Sequence, residues 1–434
     1  MNEQLPVAPA PKPKRPLPIS RLMVNAQTAK CYEDAWNAKK NGQPIGWSTG
    51  VFPPELCETF GVPVLYPENN AASLSAKHYG DRLVQHAEGQ LRYPQNICSY
   101  ARLNIALADV VSEDGSVKEG FPMDPVLPLP DFLLLANNSC TQLMKWYEQL
   151  ARTLNIPIFF LDCLFNYDDV EPAHYKVEYV RSQLEEIIDQ MEKFFGKKFD
   201  WDRFREAQAR SVLNSSLFAE IGKLNERVPA PLSGFDFFNY MAPLVLCRAK
   251  ESTTDILLQL KSEVEEHIAK GTTTFPAEEE YRVHWEGIAC WPNLGYTLRT
   301  MKNQGVNAVM NGYIQSWNMQ YKSGDLDSMA RAYIYTSTNS FTTAALMEKR
   351  AASIHQFSCE GFFGHINHSC KLGCFNVLVG REMIERKCGI PVGSFDGDQS
   401  DSRIFSEAQY MTRLQTLVEI MKDSKEKGAE KENG

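Results

Sequence analysis

The sequence predicts an α/β fold: two lobes, each built on a parallel sheet, with a helical insert between them. Three observations carry this. Short apolar runs without polar alternation recur between amphipathic segments, as they do in strands buried on both faces. The pattern occurs twice, over residues 44–162 and again over 281–395, and the stretch between reads as helix. Finally, 43% hydrophobic and 23% charged residues in a chain of 434 leave ample material for a core and too little charge for disorder.

In chain order, residues 1 to about 18 are rich in Pro, Ala and Lys and read as an extended tail. A helix is expected over Gln27 to Lys39. Strands are expected at Pro44 to Ser48, Val62 to Tyr66, Phe132 to Ala136 and Pro157 to Asp162, with helices at Pro54 to Phe60 and Thr141 to Leu154. Helices then follow without an intervening strand: Tyr175 to Phe195, Asp202 to Leu224, Phe235 to Arg248 and Asp255 to Lys270. Alternation returns with strands at Tyr281 to Ala289, Val306 to Tyr313, Gly361 to Ile366 and Pro391 to Phe395. Helices separate these strands at Leu294 to Asn303, Leu326 to Ile334 and Thr342 to Phe357, and Ser406 to Met421 closes the series before a charged, frayed tail. The chain therefore divides into a Pro-rich tail and arm (1–30), a first lobe (31–170), a helical segment (171–275) and a second lobe (276–434).

Several functional classes lose support. A net charge of −9 without a dense Lys/Arg block disfavours nucleic acid as the main partner. The longest apolar runs are far short of the roughly 20 residues that span a bilayer, and the N-terminus lacks the apolar core of a secretory signal. Eleven cysteines, an odd number in so long a chain, do not form a disulfide framework, so a reducing cytoplasmic compartment is expected. There is no GxGxxG and no GxxxxGK[ST], which removes the common nucleotide motifs, and no CxxC, which argues against a zinc ribbon or a thioredoxin-type site.

Three cysteines have a common setting. Cys140 follows the apolar run FLLLANNS, Cys370 follows GFFGHINHS, and Cys98 lies in the polar segment QNICSYARLNIA; each opens a helix. Ligand sites in open parallel sheets form at the carboxyl ends of strands, and helix N-termini favour thiolates. Three thiolates from distant loops could hold an iron–sulfur cluster; three buried small hydrophobes are the competing reading. Cys374, four positions after Cys370, reads as a packed thiol.

These segments resemble the 2-hydroxyacyl-CoA dehydratases and the related ATP-dependent benzoyl-CoA reductases. The resemblance runs from about Gly42 to Met421. It rests on GWSTGVFPPELCETFGVPVLYPEN (46–69), NICSYARLNIA (96–106), PDFLLLANNSCTQLMKWYEQLA (130–151), SGFDFFNYMA (233–242), WEGIACWPNLG (285–295), HINHSCK (365–371) and FDGDQSDSRIFSEAQYMTRLQTLVE (395–419). The larger, alpha-type dehydratase subunit is the nearest match. The resemblance implies flavodoxin-like lobes and a [4Fe-4S] cluster on Cys98, Cys140 and Cys370. The family's third cysteine motif usually reads Asn-Arg-Ser-Cys-Lys, whereas this chain has Asn367-His368-Ser369-Cys370-Lys371.

The resemblance further implies a reductive elimination of water from an (R)-2-hydroxyacyl-CoA. A separate ATP-hydrolysing iron–sulfur activator injects one electron, the thioester carbonyl becomes a ketyl radical anion, hydroxide leaves C2, and the acidified β-hydrogen is removed. A smaller homologous subunit completes a heterodimer. Aromatic-ring reduction on benzoyl-CoA is the second reading, and a non-catalytic electron-transfer subunit the third. Two further residues are placed at strand ends: Ser48, whose hydroxyl is suited to the substrate oxygen or to a helix cap, and Glu68, whose carboxylate should face the same crevice. His365 and His368 read as structural histidines, and FDGDQSD as an Asx-type turn.

Overall fold

The computed structural model describes residues 16–166, 171–312, 314–335 and 340–432. Residues 1–15, where the extended tail is expected, lie outside them. In the first half, helix α1 (Ile19–Lys40) leads to strand β1 (Gly46–Ser48), α2 (Pro54–Phe60), β2 (Val64–Leu65), α3 (Pro67–Ala76), α4 (Gly80–Gly89) and α5 (Ser99–Val110). Strand β3 (Phe132–Ala136), α6 (Gln142–Leu154) and β4 (Ile158–Leu161) complete the sheet, whose order is β2-β1-β3-β4 with every pair parallel.

Four helices follow: α7 (His174–Phe195), α8 (Trp201–Lys223), α9 (Asp236–Cys247) and α10 (Glu251–Lys270). They are not a free-standing layer. Phe194 and Phe195 of α7 pack edge-on against Phe132 of the first sheet, while Phe235, just before α9, packs against Trp285 of the second. Helix α1 is fastened to the same helices: Ser20 donates its backbone N–H to Glu263 of α10, and its hydroxyl bonds Tyr240 of α9 at 2.7 Å.

The second sheet holds β5 (Tyr281–Glu286), β6 (Val306–Asn311), β7 (Gly361–Asn367) and β8 (Val392–Gly397), in the order β6-β5-β7-β8 and again wholly parallel. Helices α11 (Leu294–Asn303), α12 (Leu326–Tyr335), α13 (Thr343–Gln356), α14 (Lys371–Cys388) and α15 (Glu407–Glu432) connect and flank the strands. Every residue of β1, β3, β5 and β6 is buried, which explains the lack of polar alternation. The two sheets thus share one strand order, in which the chain steps to one side of the first strand and then returns to the other. That is the flavodoxin-like arrangement, which opens a crevice at the strand carboxyl ends between the first and third strands.

Several boundaries and two helices differ from the sequence reading. Helix α1 begins at Ile19 rather than at Gln27, and α15 runs on to Glu432. Helices α3 and α4 were not expected: the first is rich in Asn and Ser, which favour turns, and the second is bracketed by glycines. Strand β5 ends at Glu286, because Gly287 turns with φ +101°.

Close backbone approach fixes one further position. A Cβ on Gly234 would lie 1.4 Å from the carbonyl oxygen of Ala308 in β6, and backbone on both sides cannot yield. Gly234→Ala is therefore expected to destabilise the fold by at least about 3 kcal/mol. Urea denaturation measures this, and an unchanged midpoint would contradict the packing described.

Candidate active site

The carboxyl ends of β1, β3, β5 and β7 face one cavity, and Cys98, Cys140 and Cys370 all line it. Each cysteine stands at a helix start. Cys98 is the residue before α5 and Cys370 the residue before α14; Cys140 lies two positions before α6. The loops are tied to one another. Ser99 donates its N–H to the Ser369 hydroxyl at 3.0 Å, so the residue after Cys98 holds the residue before Cys370. The N–H of Cys98 donates to Gln142 Oε1 at 3.2 Å, which fastens the same loop to α6. Both serines are fully buried, so these bonds replace water for groups that could not otherwise be satisfied.

The acidic segment after β8 supports this junction as the expected turn. Asp398 accepts backbone N–H bonds from Ser369, Ser400 and Asp401. Asp401 pairs with Arg102 of α5 at 3.1 Å, both side chains wholly buried. Gln399 donates to Cys98 Sγ at 3.2 Å, and the N–H of Gln142 donates to Cys140 Sγ at 3.4 Å.

Glu68 opens α3 at the end of β2 and lines the cavity. The N–H of Gly50 donates to its Oε2 at 2.5 Å. Burial pushes its carboxyl up to about 7, only partly opposed by that hydrogen bond. Ser48 ends β1, where the sequence reading places it. It is fully buried at the end of β1, its hydroxyl donates to the Thr49 carbonyl at 3.0 Å, and the wall beside it is formed by Gly50 and Val51. Gly46-Trp47-Ser48-Thr49-Gly50 has the Gly-x-Ser-x-Gly spacing of a hydrolase nucleophile, but a buried strand residue bonded to its own neighbour is no exposed elbow. Ser48→Ala is accordingly expected to cost about 1 kcal/mol of stability and less than about tenfold in turnover. A loss on the order of a hundredfold, with stability kept, would instead put the hydroxyl on the substrate.

The second lobe contributes residues that sequence reasoning missed. Glu286 ends β5, and Arg350 of α13 grips it with Nε at 2.7 Å and Nη2 at 3.3 Å; both line the cavity. Buried His284 adds an Nε2 contact of 3.1 Å to the same carboxylate. Burial alone would raise the Glu286 carboxyl, yet the Arg350 charge and the His284 bond hold it at about 2. His365 also faces the cavity, with Nδ1 2.6 Å from the Ile288 carbonyl and Nε2 3.0 Å from Cys290 Sγ. The short carbonyl contact makes Nδ1 the protonated nitrogen and leaves Nε2 to accept the thiol. His368 is exposed and paired with Asp396 at 2.8 Å, away from the cavity wall. Nothing in the strand pattern marks Glu286, and Arg350 reads as an ordinary helix charge; only their pairing across the fold shows a site.

Among the described residues no group of three or more His, Cys, Asp or Glu is arranged to hold a metal ion. A polynuclear cluster asks for something different, since each thiolate binds its own iron and the sulfurs stand around a common space. The three cysteines fit that requirement. Burial pushes the Cys370 thiol up to about 12, with the charge of Cys140 adding to it. Burial likewise raises Cys98, followed by Cys370 and Cys140, and raises Cys140 itself. Thiols that face one another in this way become thiolates only when bound cations offset them.

The family model described as 2-hydroxyglutaryl-CoA dehydratase, D-component, matches residues 49–421, and the chain belongs to this family. The chain is 41% identical over 410 residues to the (R)-2-hydroxyisocaproyl-CoA dehydratase alpha subunit of Clostridioides difficile, covering 94% of this chain and 97% of that one. It is 37% identical to the (R)-phenyllactyl-CoA dehydratase alpha subunit of Clostridium sporogenes over 392 residues, 90% and 93% of the two chains. A benzoyl-CoA reductase subunit of Thauera aromatica is 24% identical over 418 residues, 92% and 93% of the two. Among the described residues no helix is long and apolar enough to cross a membrane.

Proposed function

We propose that the chain is the alpha-type subunit of a lyase that removes water from an (R)-2-hydroxyacyl-CoA, working in a heterodimer with a smaller homologous subunit and primed by an ATP-hydrolysing activator. One observation carries the reading: three cysteines from three separate loops, each at a helix start, open onto one cavity at the paired strand ends. The higher identity to dehydratase subunits, 41% against 24% for the ring reductase subunit, favours dehydration over ring reduction. An apolar wall beside the cysteines favours a catalytic subunit over an electron-transfer one.

Cys98, Cys140 and Cys370 would hold a [4Fe-4S] cluster. When bound, such a cluster would supply reversible one-electron chemistry to the thioester. The protein's own groups do the rest. Gln399 and the N–H of Gln142 donate to two of the three sulfurs and steady them. Glu68, with a carboxyl that titrates near neutrality, hands its proton to the departing hydroxyl and then takes the β-proton, so that water leaves with no net charge left behind. The fixed Nδ1 proton of His365 keeps that ring from competing as the acid.

Co-expression with the partner subunit, followed by assay with activator, ATP and reductant under anaerobic conditions, tests the reading. A dehydratase needs only catalytic priming, so many molecules of 2-enoyl-CoA should form per electron supplied. Electron consumption in step with product would favour a reductase instead.

A further inference from the structure

The dehydratase reading leaves the acyl group open, and the cavity wall bears on it. Of the described residues lining the cavity, Arg350 is the one Lys or Arg, against two carboxyl groups, Glu68 and Glu286. The Arg350 guanidinium is committed: it is 3% exposed and forked onto Glu286, itself 5% exposed, through Nε and Nη2. Its place is fixed from behind, since a Cβ on Gly312 would lie 2.2 Å from the Arg350 Cζ. Among the described residues the remaining Nη1 has only Gln315 Oε1, at 3.5 Å.

Across the cavity the wall is apolar. Phe238, Met241 and Val245 lie three and four positions apart on α9 and so share one face, and Trp146, Trp291 and Trp317 join them. Such a surface gains by burying hydrocarbon. Its hydrocarbon offers no positive charge to an ionised chain end, and the single cation among the described lining residues is already neutralised. A second carboxylate brought into the cavity would have to displace Glu286 or remain buried beside it without a partner, both costly.

We infer that Glu286 and Arg350 form a specificity-determining pair, and that the cavity takes an uncharged apolar acyl group while rejecting one that ends in a carboxylate. The inference rests on the acyl-CoA reading above. Glu286 acts here through Arg350: its negative charge satisfies the guanidinium and leaves no free cation for an acidic substrate.

Binding of two unreactive saturated thioesters, 4-methylpentanoyl-CoA and glutaryl-CoA, to the heterodimer without activator provides the test, read by isothermal titration calorimetry. In the wild type the branched thioester should bind at least about tenfold more tightly. In Glu286→Gln, which frees the Arg350 charge, that ratio should fall by about tenfold or invert. Equal or tighter binding of glutaryl-CoA by the wild type would overturn the inference alone, and needs no variant to fold. A Glu286→Gln protein that binds 4-methylpentanoyl-CoA with an unchanged ratio would remove Glu286 as the determinant. Failure of both thioesters to bind would overturn the acyl-CoA reading, and the inference with it.

Discussion

Replacing Cys140 by serine should strip the protein of most of its iron. The wild type, purified anaerobically, is expected to be brown with about four irons per chain. A cluster held by three cysteines has no spare ligand, and the cavity wall includes no fourth cysteine among the described residues. Iron should fall below about one per chain, and turnover by at least about a thousandfold, because even partners outside the ligand shell are worth 10–100-fold in affinity or activity. Cys374→Ser is the control. Cys374 lies on α14, half-exposed and absent from the cavity wall, so its serine variant should keep its colour and iron. Full iron in Cys140→Ser would sink the assignment of the three cysteines.

Glu68→Gln is expected to leave the iron in place and lower turnover by roughly 100- to 10,000-fold, the range for loss of a positioned acid–base group. Glutamine has the same shape and its amide oxygen can still accept the Gly50 N–H, so the change removes a titrating proton rather than a contact. The sign of the stability effect is fixed by the same carboxyl. Its folded value of about 7 lies above the ordinary 4.5, so the folded state prefers it protonated. Any stability it gives is present below about pH 4.5 and is lost as pH rises through about 7. The glutamine variant avoids that loss. Its melting temperature should gain on the wild type between about pH 5 and pH 8, and parallel curves would mean that Glu68 is not held in a low-dielectric site.

What could be read from the sequence follows from how locally each feature is encoded. Phe132 to Ala136 and Gly361 to Ile366 announce themselves because strands buried on both faces need unbroken apolar runs. Helices α3 and α4 escape such a reading: their apolar residues are few, and tertiary packing rather than propensity holds them. The cysteines are legible because a strand end or polar loop followed by a helix is a local pattern. Ser48 shows the limit. Being at a strand end says nothing about which way a side chain points, and its hydroxyl turns to Thr49. Glu286 and Arg350 are 64 residues apart, and their meaning lies in a pairing that no local pattern contains.

The most direct measurement is anomalous diffraction from anaerobically grown crystals, with data on both sides of the iron absorption edge. The account predicts one compact iron feature in the cavity at the paired strand ends, within bonding distance of Cys98, Cys140 and Cys370 and of no other cysteine. Iron on a different cysteine set, or an iron-free cavity in protein that is brown and active, would contradict it.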